Sequence, residues 1–337
     1  MKLSYSGSPH FRNNKTTKGI MIDVCIALAP AFIASIVYFG VWSLITVLSA
    51  VLGALLSELL YKLAVKKEFK QILEEFDYTS LVTGLLVGLN MPPLSIANVY
   101  IPFLSSVFAI VVIKMLFGGT GCNIVNPAIA GRVFALMSFT TIMTQGFVYP
   151  NVSALAGSSS FVSGATPLTE MLTTGLKAGG QIANTNLTNL DLFLGTGLQG
   201  TIGETSKLAL VLGGVYLCIK GVINPLYPIL YIVSEGLFAV ALNGFNFAFF
   251  MPSILSGGLF LGAIFMATDY VTTPNSTLGN VIYFVLLGLL TAGLRHACQM
   301  EVVSFCIMLM NLIVPLIDKY VVPKPFGYVK PQKKEGK

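Results

Sequence analysis

Residues 20–63 read IMIDVCIALAPAFIASIVYFGVWSLITVLSAVLGALLSELLYKL, two apolar runs parted by a single glycine, Gly40. Only Asp23, Glu58 and Lys62 carry charge within them. Each run has the roughly 20 residues that a helix needs to cross a hydrocarbon core. The rest of the chain repeats the pattern. Of its 337 residues 55% are hydrophobic and 10% charged, with a mean hydropathy of +0.80. Soluble domains carry roughly 25% charged residues, enough to cover a wet surface. This chain cannot, and membrane lipid must solvate most of it. The composition predicts an all-α integral membrane protein. It excludes disorder, a collagen-like fibre and, despite a formal charge of +6, a nucleic-acid binder.

Ten apolar segments follow one another, at 20–39, 41–63, 79–90, 98–117, 127–142, 206–221, 223–243, 253–268, 278–294 and 302–318. The third, fifth, sixth and eighth are short enough to be half-spans or buried helices. Pro92-Pro93, Pro127 and Pro274 punctuate them where helices should stop. No small-residue cleavage site follows the first segment, which reads as a span and not as a signal peptide. Orientation follows from Lys and Arg, which collect on the cytoplasmic side. With the N-terminus inside, seventeen of the 20 basic residues fall there, Lys114 and Arg132 among them, leaving Lys177, Lys207 and Arg295 outside. Both termini are then cytoplasmic. The resulting division is a tail and first five-helix repeat at 1–142, an extracytoplasmic loop at 143–205, a second repeat at 206–321 and a basic tail at 322–337. The loop is rich in Ser, Thr, Gly and Asn, and an irregular segment of that length usually has a function.

The two halves echo each other. Ser57-Glu58 recurs as Ser234-Glu235, and Thr83-Gly84 with Gly88 recurs as Ser256-Gly257-Gly258 with Gly262. The offsets are 177 residues for the glutamates and 173 for the glycines. The first segment starts inside and the sixth outside, so such a repeat is inverted, an arrangement that places sites at the repeat interface. Small residues at helix contacts explain a two-letter match equally well.

Three stretches carry groups suited to chemistry. Gly118-Gly119-Thr120-Gly121-Cys122-Asn123-Ile124-Val125-Asn126-Pro127-Ala128 links the fourth and fifth segments. Its glycines let backbone amides approach a ligand, Asn123 and Asn126 offer amides to a polar ring edge, and Arg132 beyond them can take an anion. As a bare pattern it is also an ordinary turn. Ser163-Gly164-Ala165-Thr166-Pro167 forms an extended strip in the long loop, because proline biases the preceding threonine away from helix. Met266-Ala267-Thr268-Asp269-Tyr270-Val271-Thr272-Thr273-Pro274 ends the eighth segment. There Asp269, flanked by threonine hydroxyls including Thr272, either meets a cation or donor or caps a helix end locally. Asn123, Asn126 and Asp269 are expected to share one pocket. Glu235, deep in its segment, is a further ion-path candidate with Asp269. The five cysteines are scattered and lack a CxxC pair, and the only histidines, His10 and His296, fall on opposite sides. No iron–sulfur, zinc or bis-histidine haem site is expected within the chain.

Taken together with Ser8-Pro9-His10, these three motifs resemble the family that holds the RnfD subunit of the Rnf complex and the NqrB subunit of the sodium-translocating NADH:quinone reductase. The resemblance spans nearly the whole chain in order, and the short N-terminus looks like the Rnf branch. It implies FMN joined by a phosphoester to the threonine that ends the SGAT motif, here Thr166 after Ser163, Gly164 and Ala165. It also implies, for some members, a second, non-covalent flavin (riboflavin). By the same token the chain is expected to be a flavin-carrying membrane subunit of a redox-driven Na+ or H+ translocase. Its partners are expected to be the membrane and peripheral subunits of an Rnf-type complex, another flavoprotein included, in a bacterial or archaeal cytoplasmic membrane. It should be inactive alone. Three readings compete with this one: a subunit of the Na+-translocating NADH:quinone reductase, a solute channel or transporter of urea-channel-like architecture, and a structural scaffold.

Overall fold

The structure is a computed structural model that describes residues 16–65, 69–74, 76–94, 96–145, 166–176, 187–195 and 199–322. These residues form helices joined by loops. Helix α1 (Thr17–Phe39) starts at Thr16, whose hydroxyl accepts from the Gly19 amide, and stops at Gly40, where φ reaches 65°. Pro30 lies inside it. Helix α2 (Val41–Ala64) departs at once from the same glycine. Helix α3 (Thr79–Leu89) is short, and α4 (Tyr100–Met115) widens into a π-helix over Ala109–Met115. Helix α5 (Pro127–Ser138) begins at Asn126, whose side chain accepts from the Ala128 and Ile129 amides. Pro127 in its first turn lacks only a donor that the helix leaves unused.

The later helices are α6 (Pro167–Thr174), α7 (Lys207–Ile219), α8 (Leu226–Leu242), the broken α9, α10 (Thr277–Cys298) and α11 (Val303–Tyr320). Helix α9 runs over Phe250–Leu255 and Leu259–Met266, bent by 68° at Ser256-Gly257-Gly258. Each of the ten apolar segments is therefore helical, but not all are long. Four helices, α1, α2, α10 and α11, have the length and hydropathy to cross a membrane, and the bent α9 makes a fifth. Helices α3, α4, α5, α7 and α8 are shorter. The predicted 127–142 is interrupted at Phe139 and resumes as a short helix over Thr140–Gln145, and 223–243 starts late because Asn224-Pro225 forms a turn. The protein is a multi-pass, all-helical membrane protein.

Packing relies on small residues. In α3, Gly84 and Gly88 lie so close to α2 that an added Cβ would stand 2.8 Å from the Cα atoms of Val51 and Val47. Between helices already surrounded by lipid, such close approach supplies the van der Waals contact that hydrophobicity cannot. Ile22, Ile26 and Ile33 of α1 and Leu52, Leu56 and Leu60 of α2 remain exposed, as lipid-facing side chains should.

Two expectations need correction. The stretch 199–205 does not belong to an exposed loop: Gln199, Thr201, Ile202 and Glu204 are buried. The Ile202 and Gly203 amides donate to the Met91 and Leu89 carbonyls at 2.9 and 2.7 Å. The end of a short helix leaves carbonyls that need donors, and inside a membrane the chain must supply them. Secondly, Lys114, Arg132, Lys207 and Arg295 are not boundary charges. All four are buried, with at most 5% of their surface exposed. Removing them from the orientation tally takes two residues from each side and leaves the remaining asymmetry steeper.

Candidate functional site

Two cavities open toward opposite ends of α1. Ile20, Met21 and Val24 border the first, whereas the Tyr38 hydroxyl donates to the Leu194 carbonyl beside the second, which Leu192 lines. Helix α7 runs the other way, with Lys207 at the second cavity and Leu217 at the first. The partition between them is thin. From Ala128 at the first cavity to Arg132 at the second is roughly 6 Å along α5, and Leu217 to Lys207 is roughly 15 Å along α7, at 1.5 Å per residue.

The first cavity has a volume of about 130 Å³. Leu86, Ile264 and Phe265 give it apolar walls; Thr83, Thr120, Asn123, Asn126 and Asp269 give it a polar rim. The structure thus brings Asn123, Asn126 and Asp269 together. Their duties differ. Asn126 is engaged at both ends: its carbonyl oxygen caps α5 and its Nδ2 donates to the Met266 carbonyl at 3.1 Å. It staples α5 to the end of α9 and has little left to offer a ligand. Asn123 donates to the Val125 carbonyl and also lies against the Asp269 carboxyl. Thr272 is buried and donates to Asp269 at 3.2 Å. Desolvation raises the Asp269 carboxyl above the usual carboxylate range, although the Val271 amide, Thr272 and Asn123 oppose the shift.

Behind this rim stands a polar wall that sequence reasoning missed. Thr120 donates to Asp77 at 2.7 Å, and the Thr79 amide does so at 3.1 Å. Burial alone would raise the Asp77 carboxyl; the hydrogen bonds from Thr79 and Thr120, with the Lys114 charge, hold it below its ordinary value. Lys114 lines the cavity, donates to Ser80 at 3.0 Å and lies 4.0 Å from Glu58, which pairs with Lys62 at 2.6 Å. A lysine inside the apolar segment 98–117 was itself the signal; counting it among the cytoplasmic charges, because it lies close to the segment's end, hid the signal.

The second cavity, of about 30 Å³, is bordered by Arg132, Thr166, Gln199, Glu204, Lys207, Ser256 and Glu301 among others. Thr166 is half-buried and extended, with φ −67° and ψ 150°. Its hydroxyl caps α6, meeting the Thr169 amide at 3.4 Å and the Thr169 hydroxyl at 2.9 Å. Ser163, Gly164 and Ala165 lie outside the described residues. Arg132 is not beside the glycine-rich turn, where the sequence suggested an anion for it. It points away from Pro127 to donate to Asn90 at 2.6 Å and Glu204 at 3.1 Å, a buried ion pair next to Thr166. Its charge is already met. Glu235, offered as an ion-path residue, meets Arg295 at 2.7 Å and the Ser253 hydroxyl at 2.9 Å through Oε1, while its buried Oε2 has no hydrogen-bond partner among the described residues. Arg295 also donates to Glu301 at 3.0 Å and to the carbonyls of Ser253 and Ser256 at the break in α9.

Comparison with known proteins adds names of similar chains. The family model described as the NQR2, RnfD, RnfE family matches residues 4–327. The subunit designated D in the Na+-translocating ferredoxin:NAD+ oxidoreductase complex of Acetobacterium woodii is 36% identical, over 100% of this chain and 99% of its own length. Its counterpart in the proton-translocating ferredoxin:NAD+ oxidoreductase complex of Clostridium ljungdahlii, with the same designation, is 35% identical, over 96% of each chain. The likewise designated chain of an ion-translocating oxidoreductase complex of Actinobacillus succinogenes is 31% identical, over 96% of this chain and 97% of that one.

Proposed function

The chain belongs to the NQR2, RnfD, RnfE family, and from that premise we propose that it is the flavin-carrying membrane subunit of an ion-translocating ferredoxin:NAD+ oxidoreductase complex. One observation carries the reading: chain-long similarity to the equivalent subunits of two such complexes, with the motif threonine Thr166 at the mouth of a buried polar cavity. Activity then belongs to the assembled complex, and the other subunits are the partners. The relative named for Na+ and the relative named for protons are similar to this chain at 36% and 35% identity, a difference too small to choose the ion.

Ten spans in two inverted repeats are the architecture we propose, with both termini cytoplasmic and Thr166 on the other face. Buried ion pairs support it more strongly than the glycines do. Glu58 of α2 faces Lys114 of α4 near Ser80 of α3, and Glu235 of α8 faces Arg295 of α10 near Ser253 of α9. The second, fourth and third helices of each half supply the same three kinds of group, in helices that run in opposite directions.

The residues at Thr166 fit FMN held by a phosphoester. Thr166 is half-buried and borders the cavity, and the buried Ser256 hydroxyl on the cavity wall lacks a hydrogen-bond partner among the described residues. The first cavity, about 130 Å³, has apolar walls suited to a ring face and Asn123 and Asp269 for a polar edge, enough to seat one end of a second, non-covalent flavin but not to enclose its three rings. A bound flavin supplies one-electron transfer, for which these side chains offer no substitute. The chain's own part is placement. Thr166 fixes one end of the relay, the thin partition of α5 and α7 sets the distance between the two cavities, and the buried Leu89, Ile129 and Leu261 keep water out between them. Asp269 and Glu235, whose buried Oε2 lacks a partner among the described residues, are the candidates for the ion. The test is a denaturing gel: a band that fluoresces under ultraviolet light in the wild type and not in Thr166→Ala supports the assignment. A fluorescent Thr166→Ala band refutes it.

A further inference from the structure

We infer that Gln199 and Lys207 form, with the first turn of α6, the seat for the phosphate and adjoining sugar-alcohol hydroxyl of the group carried on Thr166. The inference rests on the flavin reading above and names residues that no motif of the sequence singled out.

Gln199 is 4% exposed, yet neither its Oε1 nor its Nε2 has a hydrogen-bond partner among the described residues. A buried amide left with both a donor and an acceptor unused is costly. It is tolerated where a ligand completes it, and Gln199 lines the cavity that Thr166 borders. The donor suits a phosphate oxygen. The acceptor needs an O–H, which a phosphate diester lacks and the neighbouring ribityl hydroxyl supplies. The orphan pair therefore matches a sugar-alcohol phosphate better than a bare anion.

Lys207 supplies the charge. It is 3% exposed and opens α7 on the wall of the same cavity. Glu204 and Glu301 act on its charge only from beyond contact distance, because each makes its direct ion pair with an arginine, Arg132 and Arg295. No carboxylate of the described residues lies within ion-pair distance of Lys207. A single negative charge delivered by a phosphate diester on Thr166 would be its contacting partner, and a buried ammonium without one is expensive. In the first turn of α6, an eight-residue helix capped by Thr166 itself, Pro167 carries no N–H and the Thr169 amide donates to the Thr166 hydroxyl, which leaves the Leu168 amide free for an anion there. Size sets the limit. A cavity of about 30 Å³ holds about two waters, room for the two free phosphate oxygens but not for a three-ring flavin. The ring must then lie outside, toward the surface that other subunits can reach.

The test compares the full-length chain in detergent with and without attached flavin, by expressing it with or without a flavin transferase. In-gel fluorescence reports attachment, and the thermal midpoint reports the seat. The wild type should gain stability on flavinylation. Gln199→Leu and Lys207→Met should behave with opposite sign in the two states: a midpoint at or above wild type without flavin, and below wild type with it. Lys207→Arg should restore most of the gain. A purely structural role would lower the midpoint in both states and overturn the inference, as would a fully fluorescent Lys207→Met or Gln199→Leu protein with the wild-type gain. A wild-type band without fluorescence overturns the Thr166 reading itself, and the inference falls with it. Should Lys207→Met fail to accumulate, Gln199→Leu, which removes no charge, decides alone.

Discussion

Replacing Arg295 by Gln should destabilise the protein more than any other single change among its buried ion pairs. The guanidinium is 2% exposed and serves Glu235, which is fully buried, and Glu301, whose side chain is 16% exposed. It also meets the carbonyls of Ser253 and Ser256 at the α9 break. Its loss strips both carboxylates of the guanidinium they share. Breaking a buried pair by removing one partner costs about 3–5 kcal/mol, whereas single hydrogen bonds between helices in a membrane average about 0.6. The larger figure governs here, because the penalty is an uncompensated charge and not a lost hydrogen bond. On a scale of about 2–4 °C per kcal/mol, the thermal midpoint in detergent should fall by roughly 6 °C or more. Glu235→Gln should cost less, since Arg295 keeps Glu301 and still finds an acceptor in the new amide. Glu301→Gln, at the wet edge, should cost least. Arg295→Met combined with Glu235→Leu should recover part of what Arg295→Met loses alone. The assay is fluorescence-detected thermal unfolding of the purified chain. Three single variants of equal effect, or a double variant whose loss equals the sum of the singles, would refute the charge argument.

Asp77 and Asp269 should respond to acid with opposite signs. Asp77 is held below its ordinary value, so its contribution is present at neutral pH and lost as pH falls through that lowered value; Asp77→Asn should lower the midpoint at pH 7 and not at the acid end. Asp269 is held above its ordinary value, so it costs stability at neutral pH that returns as pH falls toward the unfolded carboxylate range of about 3.9. Asp269→Asn should therefore match or exceed the wild type at pH 7, with the difference closing on acidification; a midpoint series against pH checks both. Thr166→Ala should cost about 1 kcal/mol as a lost helix cap besides losing the flavin, while Thr166→Ser keeps the cap, which unfolding of flavin-free protein can separate. A cysteine at Ser158 should react with a membrane-impermeant reagent in intact cells; labelling by permeant reagents alone would place the 143–205 segment on the cytoplasmic side.

What could be read from sequence was the periodic part. Ten apolar segments are ten helical segments, because apolar length and proline punctuation are local properties. Ends were less legible: Phe139 and the Asn224-Pro225 turn shorten helices for reasons of local conformation that hydropathy averages over. The chemistry-bearing loops were visible by composition, and Asn123, Asn126 and Asp269 line one cavity. What stayed hidden was the meaning of isolated charges. Lys114, Arg132, Lys207 and Arg295 each sit within a few residues of a segment end, where a basic residue ordinarily marks the water boundary. Only the fold reveals that each end is itself buried.

That burial has a single cause. Helices such as α3 and α5 and the halves of α9 stop partway through the bundle, so their terminal carbonyls and amides lie where no lipid can satisfy them. The chain answers with polar matter brought in from elsewhere. The Ile202 and Gly203 amides close the end of α3, Asn126 ties α5 to the end of α9, and Arg295 takes the Ser253 and Ser256 carbonyls at the bend. Arg295 in turn requires Glu235 and Glu301, and the approach of Glu301 requires Gly257, where φ is 69° and a Cβ would collide with the carboxylate. Gly257→Ala should therefore act like a weaker Arg295→Gln, displacing Glu301 and straining the bend while leaving the charges in place. Adding Glu301→Ala should relieve the collision but not the backbone strain, so the double variant should be more stable than the sum of the two single losses predicts. Strict additivity in the thermal midpoint would mean that Gly257 and Glu301 do not compete for the same space, and the chain of dependence from broken helix to buried charge would be cut at that link.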